Sequence, residues 1–100
     1  MKVITINEEN HGQIGIAFNY YNAVKWLIEN SWLDDTVEVW RKSADDDDCY
    51  DWISIKKVYG ENYANDILNN WNINTFNEAF EGTFLLQSVE VIGTEDENNY

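Results

Sequence analysis

Beyond Lys57 the chain has neither lysine nor arginine, and over its whole length it has no proline, one cysteine, one histidine and no long apolar run. Each shortage excludes something. A stretch without basic residues has nothing to set against a phosphate backbone or an anionic membrane surface, so direct nucleic-acid and lipid binding are disfavoured. Cys49, standing alone, permits no intrachain disulfide. His11 is the only imidazole available for any acid–base or metal role. No apolar run approaches the ~20 residues needed to cross a bilayer. The first residues, MKVITINEEN, lack the charged start and apolar core of a signal peptide, which makes the bacterial cytoplasm the expected location. Missing proline together with abundant asparagine fits a low-GC bacterial or phage genome.

What is present is acid and aromatic side chains. The net charge is −13, and the stretch past Lys57 contributes Glu61, Asp66, Glu78, Glu81, Glu90, Glu95, Asp96 and Glu97 to it with no compensating base. Five Trp, six Tyr and four Phe in 100 residues supply large core pieces. A chain of this length buries roughly 65% of the surface its unfolded form exposes, enough for one domain without staples. Residues 1–93 are read as that domain and 94–100 as an acidic, mobile tail.

The patterning predicts an α+β domain. Val3 to Ile6 and Ile14 to Phe18 read as two strands joined by a polar turn. Asn19 is a candidate N-cap for a helix from Tyr20 to Asn30, whose apolar stripe is Tyr20, Val24, Leu27 and Ile28. Thr36 to Arg41 alternates, with Val37 and Val39 on one side and Trp40 on the other, and Tyr50 to Ile53 is a return strand across a charged tip, Lys42 to Asp48. Ser54 is placed to cap a short helix ending at Gly60. Glu61 to Trp71 is helical, with Tyr63, Ala64, Ile67, Leu68 and Trp71 inside. Thr75-Phe-Asn-Glu78 matches a capping box opening a helix that buries Phe76, Ala79 and Phe80, and Thr83 to Ile92 is a final strand. Together these give a mostly antiparallel sheet of about four strands with three to four helices on one face. Trp32, Trp52 and Trp71 are expected in the core.

Catalytic chemistry finds little support. Cys49 lies among aspartates that disfavour its thiolate, no serine sits in a nucleophile elbow, and His11-Gly12-Gln13-Ile14-Gly15 is followed by no lysine to meet a phosphate. Asp45, Asp46, Asp47 and Asp48, with Asp51 behind, invite a calcium reading, but counting from Asp45 the sixth position is Tyr50 instead of Gly and the twelfth is Lys56 instead of Glu. His11, Cys49 and Asp51 are the weak candidates for a zinc site, against which the spacing favours a turn histidine and a lone thiol. No cofactor is therefore expected.

The charge points to a basic protein partner. Carboxylates at Asp45, Asp46, Asp47, Asp48, Glu61, Asp66, Glu78 and Glu81 form the candidate binding face, able to take forked bonds from arginine. Trp26 lies off its helix's apolar stripe; exposed, it would anchor an interface, and covered by a second layer, it would be core.

In size, acidity and lack of catalytic apparatus the whole chain resembles the small proteins with which phages and mobile elements oppose host defence, anti-CRISPR inhibitors among them. That resemblance implies a domain that occupies the nucleic-acid-binding surface of a nuclease and blocks loading of target DNA. The runs KVITINEENHGQIGIA and WISIKKVYGENYANDIL also look like a small family from low-GC Gram-positive genomes. The alternatives are a metal-stabilised or plain acidic interaction module using Trp26, and an acidic housekeeping domain.

Thirteen net negative charges oppose compactness, and counterions screen that repulsion over about 10 Å at 0.1 M salt. The melting midpoint should therefore rise between low and physiological ionic strength; a midpoint that falls over this range would show that self-repulsion does not limit stability.

Overall fold

The computed structural model describes residues 1–42 and 50–91. The sequence-predicted acidic tip, Asp45 to Asp48 with Cys49, and the tail from 94 onward lie outside the described residues.

Strands β1 (Lys2–Glu8), β2 (Gly12–Ala17) and β5 (Phe84–Glu90) form a three-stranded antiparallel sheet in the order β2-β1-β5. Alternation decides its faces. Ile4 and Ile6 of β1, with Ala17 of β2 and Phe84 and Leu86 of β5, point inward and are buried. Between β3 (Glu38–Lys42) and β4 (Tyr50–Ser54) runs a second, two-stranded antiparallel sheet. The expected single sheet of about four strands is thus divided into two, while the α+β class and the antiparallel pairing are as the patterning predicts.

Four helices supply the other layer: α1 (Tyr20–Glu29), α2 (Ile55–Tyr59), α3 (Tyr63–Asn70) and α4 (Ile73–Ala79). Asn19 caps α1 as predicted, its side chain accepting from the Asn22 amide at 2.8 Å. Its apolar stripe is shifted toward Ala23, Val24 and Leu27, which are fully buried, while Tyr20 and Ile28 pack partly exposed at the margins. Tyr20 ties α1 to α3 by donating its hydroxyl to the Ile67 carbonyl at 2.6 Å.

Two caps differ from expectation. Ser54 stands at the N-cap of α2 as expected but makes no side-chain cap bond. The fourth helix opens a turn earlier than the capping box implies, because Asn72, not Thr75, is its N-cap. The Asn72 Oδ1 accepts from the Thr75 amide at 2.9 Å and from the Thr75 hydroxyl at 3.2 Å, so Thr75 is a donor inside the first turn. Trp71, expected as the last inner residue of α3, is its C-cap in extended conformation.

Phe76, Phe80 and Phe84 occupy the centre of the core, with ring centroids 4.5 Å apart for the first pair and 5.6 Å for the second. All three are at most 5% exposed. Truncating a phenylalanine so placed to alanine costs about 3–5 kcal/mol. The hairpin joins this core through Val39, which is fully buried; Ile53, opposite it in register, is half-buried on the same face.

Register also explains why Trp52 is not core. Trp40 and Trp52 face each other across the hairpin, and since Val39 and Ile53 point inward, both indoles point out, at 42% and 46% exposure. Trp32 and Trp71 are partly buried against the core as expected.

Asn77 joins α4 to β5 by a reciprocal pair: its Nδ2 donates to the Leu86 carbonyl at 2.9 Å and its Oδ1 accepts from the Leu86 amide at 2.8 Å. Asn77→Asp keeps the shape but sets a second acceptor against that carbonyl. We expect a loss of about 1–3 kcal/mol in denaturant unfolding, against little change for the exposed Asn65→Asp; equal losses would show that the pair contributes nothing.

Candidate functional site

The acids sort into two groups. Several are engaged by the fold. Glu8 accepts from His11 Nδ1 at 2.6 Å and from the Asn10 amide at 2.9 Å. Asp34 accepts from the Thr36 hydroxyl at 2.5 Å and its amide at 2.9 Å. Asp35 accepts from the Tyr63 hydroxyl at 2.6 Å and lies 3.6 Å from the Lys56 ammonium. Burial pushes the Glu8 carboxyl up, but the bonds and charge of His11 and the Asn10 amide outweigh it and hold the group below its usual range. The Thr36 hydroxyl and amide do the same for Asp34.

The second group, exposed and without ion pairs among the described residues, includes Glu9, Glu29 and Glu38 as well as members of the predicted binding face. Glu61, in the turn before α3, Glu78 on α4 and Glu81 in the turn after it are exposed and have no ion-pair partner among the described residues. Asp66 is half-buried on α3 and accepts from the Asn70 side-chain Nδ2 at 3.1 Å. Asp51, the carboxylate among the metal candidates, is exposed on β4 opposite Arg41. It belongs to a different sheet from the turn that holds His11, and among the described residues no three of His, Cys, Asp and Glu converge as a metal cluster.

Glu78 and Glu81 are brought to the hairpin. Glu78 lines an open cleft of about 430 Å³ with Arg41, Tyr59 and Trp71. Arg41, the chain's single arginine, is consumed there: its guanidinium donates to the Trp40 carbonyl at 2.8 Å, the Ala79 carbonyl at 3.3 Å and the Tyr59 hydroxyl, and its Cζ lies 5.4 Å from the Tyr59 ring centroid. Glu81 and Gly82 instead border a cleft of about 500 Å³ whose other wall is Trp40, Tyr50 and Trp52. Tyr50 stacks on Trp40 with centroids 5.8 Å apart and planes 13° from parallel, and Trp40 meets Trp52 at 5.2 Å and 56°. Gly82 has φ of +84°, and a Cβ there would meet Trp52 at 3.6 Å, so the turn is open to glycine for backbone reasons more than steric ones.

Trp26 takes the covered alternative. Its ring lies over Gly15 of β2, where an added Cβ would stand 3.2 Å from the indole, and it is half-buried. The exposed tryptophans are Trp40 and Trp52, which sequence reasoning did not select. The available signal was parity: with Val39 and Ile53 inward, Trp40, Tyr50 and Trp52 share the outer face.

Set against protein-family models, curated proteins and solved structures, the chain matches none of them. No helix among the described residues is long and apolar enough to cross a membrane.

Burial first, then the bond to Asp35 and the charges of Asp35 and Asp34, push the Tyr63 hydroxyl from its usual 10.0 up to about 12. Burial raises Tyr20 further. The folded state thus favours both neutral phenols, giving stability that is full below pH 10 and lost as pH rises through 12. Glu8 and Asp34 act oppositely, their contribution present above the ordinary carboxyl range and lost as pH falls through their lowered values. Melts of Tyr63→Phe should decline less steeply than wild type between about pH 10 and pH 12; parallel declines would remove Tyr63 as a cause.

Proposed function

We propose that this chain is a non-catalytic acidic inhibitor that seats on the basic nucleic-acid-binding surface of a CRISPR-type nuclease in the bacterial cytoplasm and blocks loading of target DNA. The observation that supports it is the set of exposed carboxylates at Glu61, Glu78 and Glu81, which the fold leaves without ion pairs among the described residues and which lie in a stretch without lysine or arginine. Carboxylates already engaged, such as Asp34 and Asp35, have their charge answered locally. Spare carboxylates are available to the arginine and lysine side chains that otherwise meet phosphates. Long-range attraction would speed encounter and make binding salt-sensitive.

A second reading, a protein-interaction module without nucleic-acid mimicry, is favoured by one observation, the exposed Trp40 and Trp52. An apolar contact of that kind persists at high salt, whereas an electrostatic competitor does not.

The two separate in a cleavage assay with guide-loaded nucleases from low-GC bacteria, the protein being added before or after target DNA at two salt concentrations. The inhibitor reading expects protection only when the protein precedes DNA, weakened at the higher salt. The combined variant Glu61→Gln, Asp66→Asn, Glu78→Gln and Glu81→Gln should melt as a folded protein and lose inhibition by about tenfold or more, since each exposed charge contact is worth a few tenths to 1 kcal/mol. Full inhibition by that variant would move the binding surface elsewhere, and order-independent, salt-resistant inhibition would favour the second reading.

A further inference from the structure

We propose that Trp40 and Trp52, with Glu81 beside them, form a receptor for an arginine side chain of the partner. This assignment rests on the reading of the chain as a binder of a basic protein surface and names the side chain that the surface recognises.

Three observations carry it. The first is that the two indoles are 42% and 46% exposed although the inner face of their hairpin already holds the core through Val39. The second is their mutual geometry: Trp40 stacks on Tyr50 with planes 13° from parallel, while Trp52 is tilted 56° from Trp40 with centroids 5.2 Å apart, so Trp52 stands at an angle to that stack instead of extending it. The third is the wall opposite, where Glu81 and the side-chain-free Gly82 complete a cleft of about 500 Å³.

The ligand follows from the chemistry of these walls. Indole faces carry negative electrostatic potential and attract a cation placed over them. A carboxylate at the rim adds a directional acceptor. Guanidinium is flat, so it can stack on an indole while its edge donates to Glu81; ammonium is a compact, strongly hydrated point charge that can do one of these well. Nucleobases and sugars also stack on aromatic faces, but a nucleic acid would bring phosphates toward a molecule of net charge −13. Within the fold, the Arg41 guanidinium combines an aromatic neighbour, the Tyr59 ring and its hydroxyl, with bonds to the Trp40 and Ala79 carbonyls.

A cross-strand Trp pair also steadies a two-stranded hairpin, so the test needs a readout that this role would not move. Short alternating peptides of Arg and Gly, Lys and Gly, and uncharged citrulline and Gly are titrated into the intact protein, reading the indole N–H resonances of Trp40 and Trp52. An uncharged oligosaccharide and a single-stranded oligonucleotide are the remaining probes. The Arg peptide should shift both indoles and bind roughly threefold to tenfold tighter than the Lys peptide of equal charge. In the Trp40→Ile, Trp52→Ile variant, which keeps apolar β-forming side chains, that preference should vanish. Equal binding of the two peptides by the wild type overturns the receptor, and so does a preference that survives in the variant or a larger indole response to the oligosaccharide or oligonucleotide. Should the variant unfold, the wild-type titration still decides. An Arg preference in a protein that inhibits no nuclease leaves the receptor standing and removes the inhibitor reading. Undiminished nuclease inhibition by the folded variant removes the receptor and leaves the inhibitor.

Discussion

Everything in this domain hangs on the burial of Phe76, Phe80 and Phe84. The first two come from α4 and its C-cap, the third opens β5, so one aromatic cluster joins the last helix to the main sheet. Tyr20 reaches the cluster from α1 and Trp71 from the end of α3. Fully burying each large apolar side chain contributes about 1.5–3 kcal/mol, and that gain has to offset both chain entropy and the mutual repulsion of an acidic surface. Charge is tolerated because the core comes almost wholly from the side chains the acids do not use: no charged or polar residue is buried among the described ones.

That division of labour shapes the surface. Where the fold needs a carboxylate, it surrounds it with donors, as at Glu8, Asp34 and Asp35. Two basic residues are likewise committed, Arg41 to carbonyls and a phenol and Lys56 to the vicinity of Asp35. Among the acids left without ion pairs, Glu78 and Glu81 face outward on α4 and in its following turn, beside a hairpin whose Trp40 and Trp52 side chains face solvent. Acid and indole meet at one border of that surface, where Glu81 lines a cleft with Trp40 and Trp52.

Much of the fold is legible in the sequence because period and caps agree locally. The Asn19 cap, the buried Val24 and Leu27, the inward Val39 and the run Phe76, Ala79, Phe80 follow from residue type and spacing alone. What failed depends on competition between neighbours or on partners far away in the chain. Asn72 and Thr75 can each begin a helix, and Asn72 prevails because it accepts both Thr75 donors. The split into two sheets depends on which strands meet, which no local pattern records. Trp52 was misplaced because size argued for burial while parity argued against it, and parity is fixed by its partner Trp40. At the predicted binding face, charge alone selected Glu61, Glu78 and Glu81, whereas the exposure of neighbouring Trp40 and Trp52 required the hairpin register to be known.

A strand at the border of a sheet offers its amide and carbonyl groups to any other strand that comes by, and sequences often place a proline there to forbid it. This sequence has no proline at all. On β5 the side-chain amide of Asn77 takes both backbone groups of Leu86, standing in the place a fourth strand would occupy. The sheet is thereby closed to growth at that position by a helix residue, in place of the proline that the chain lacks.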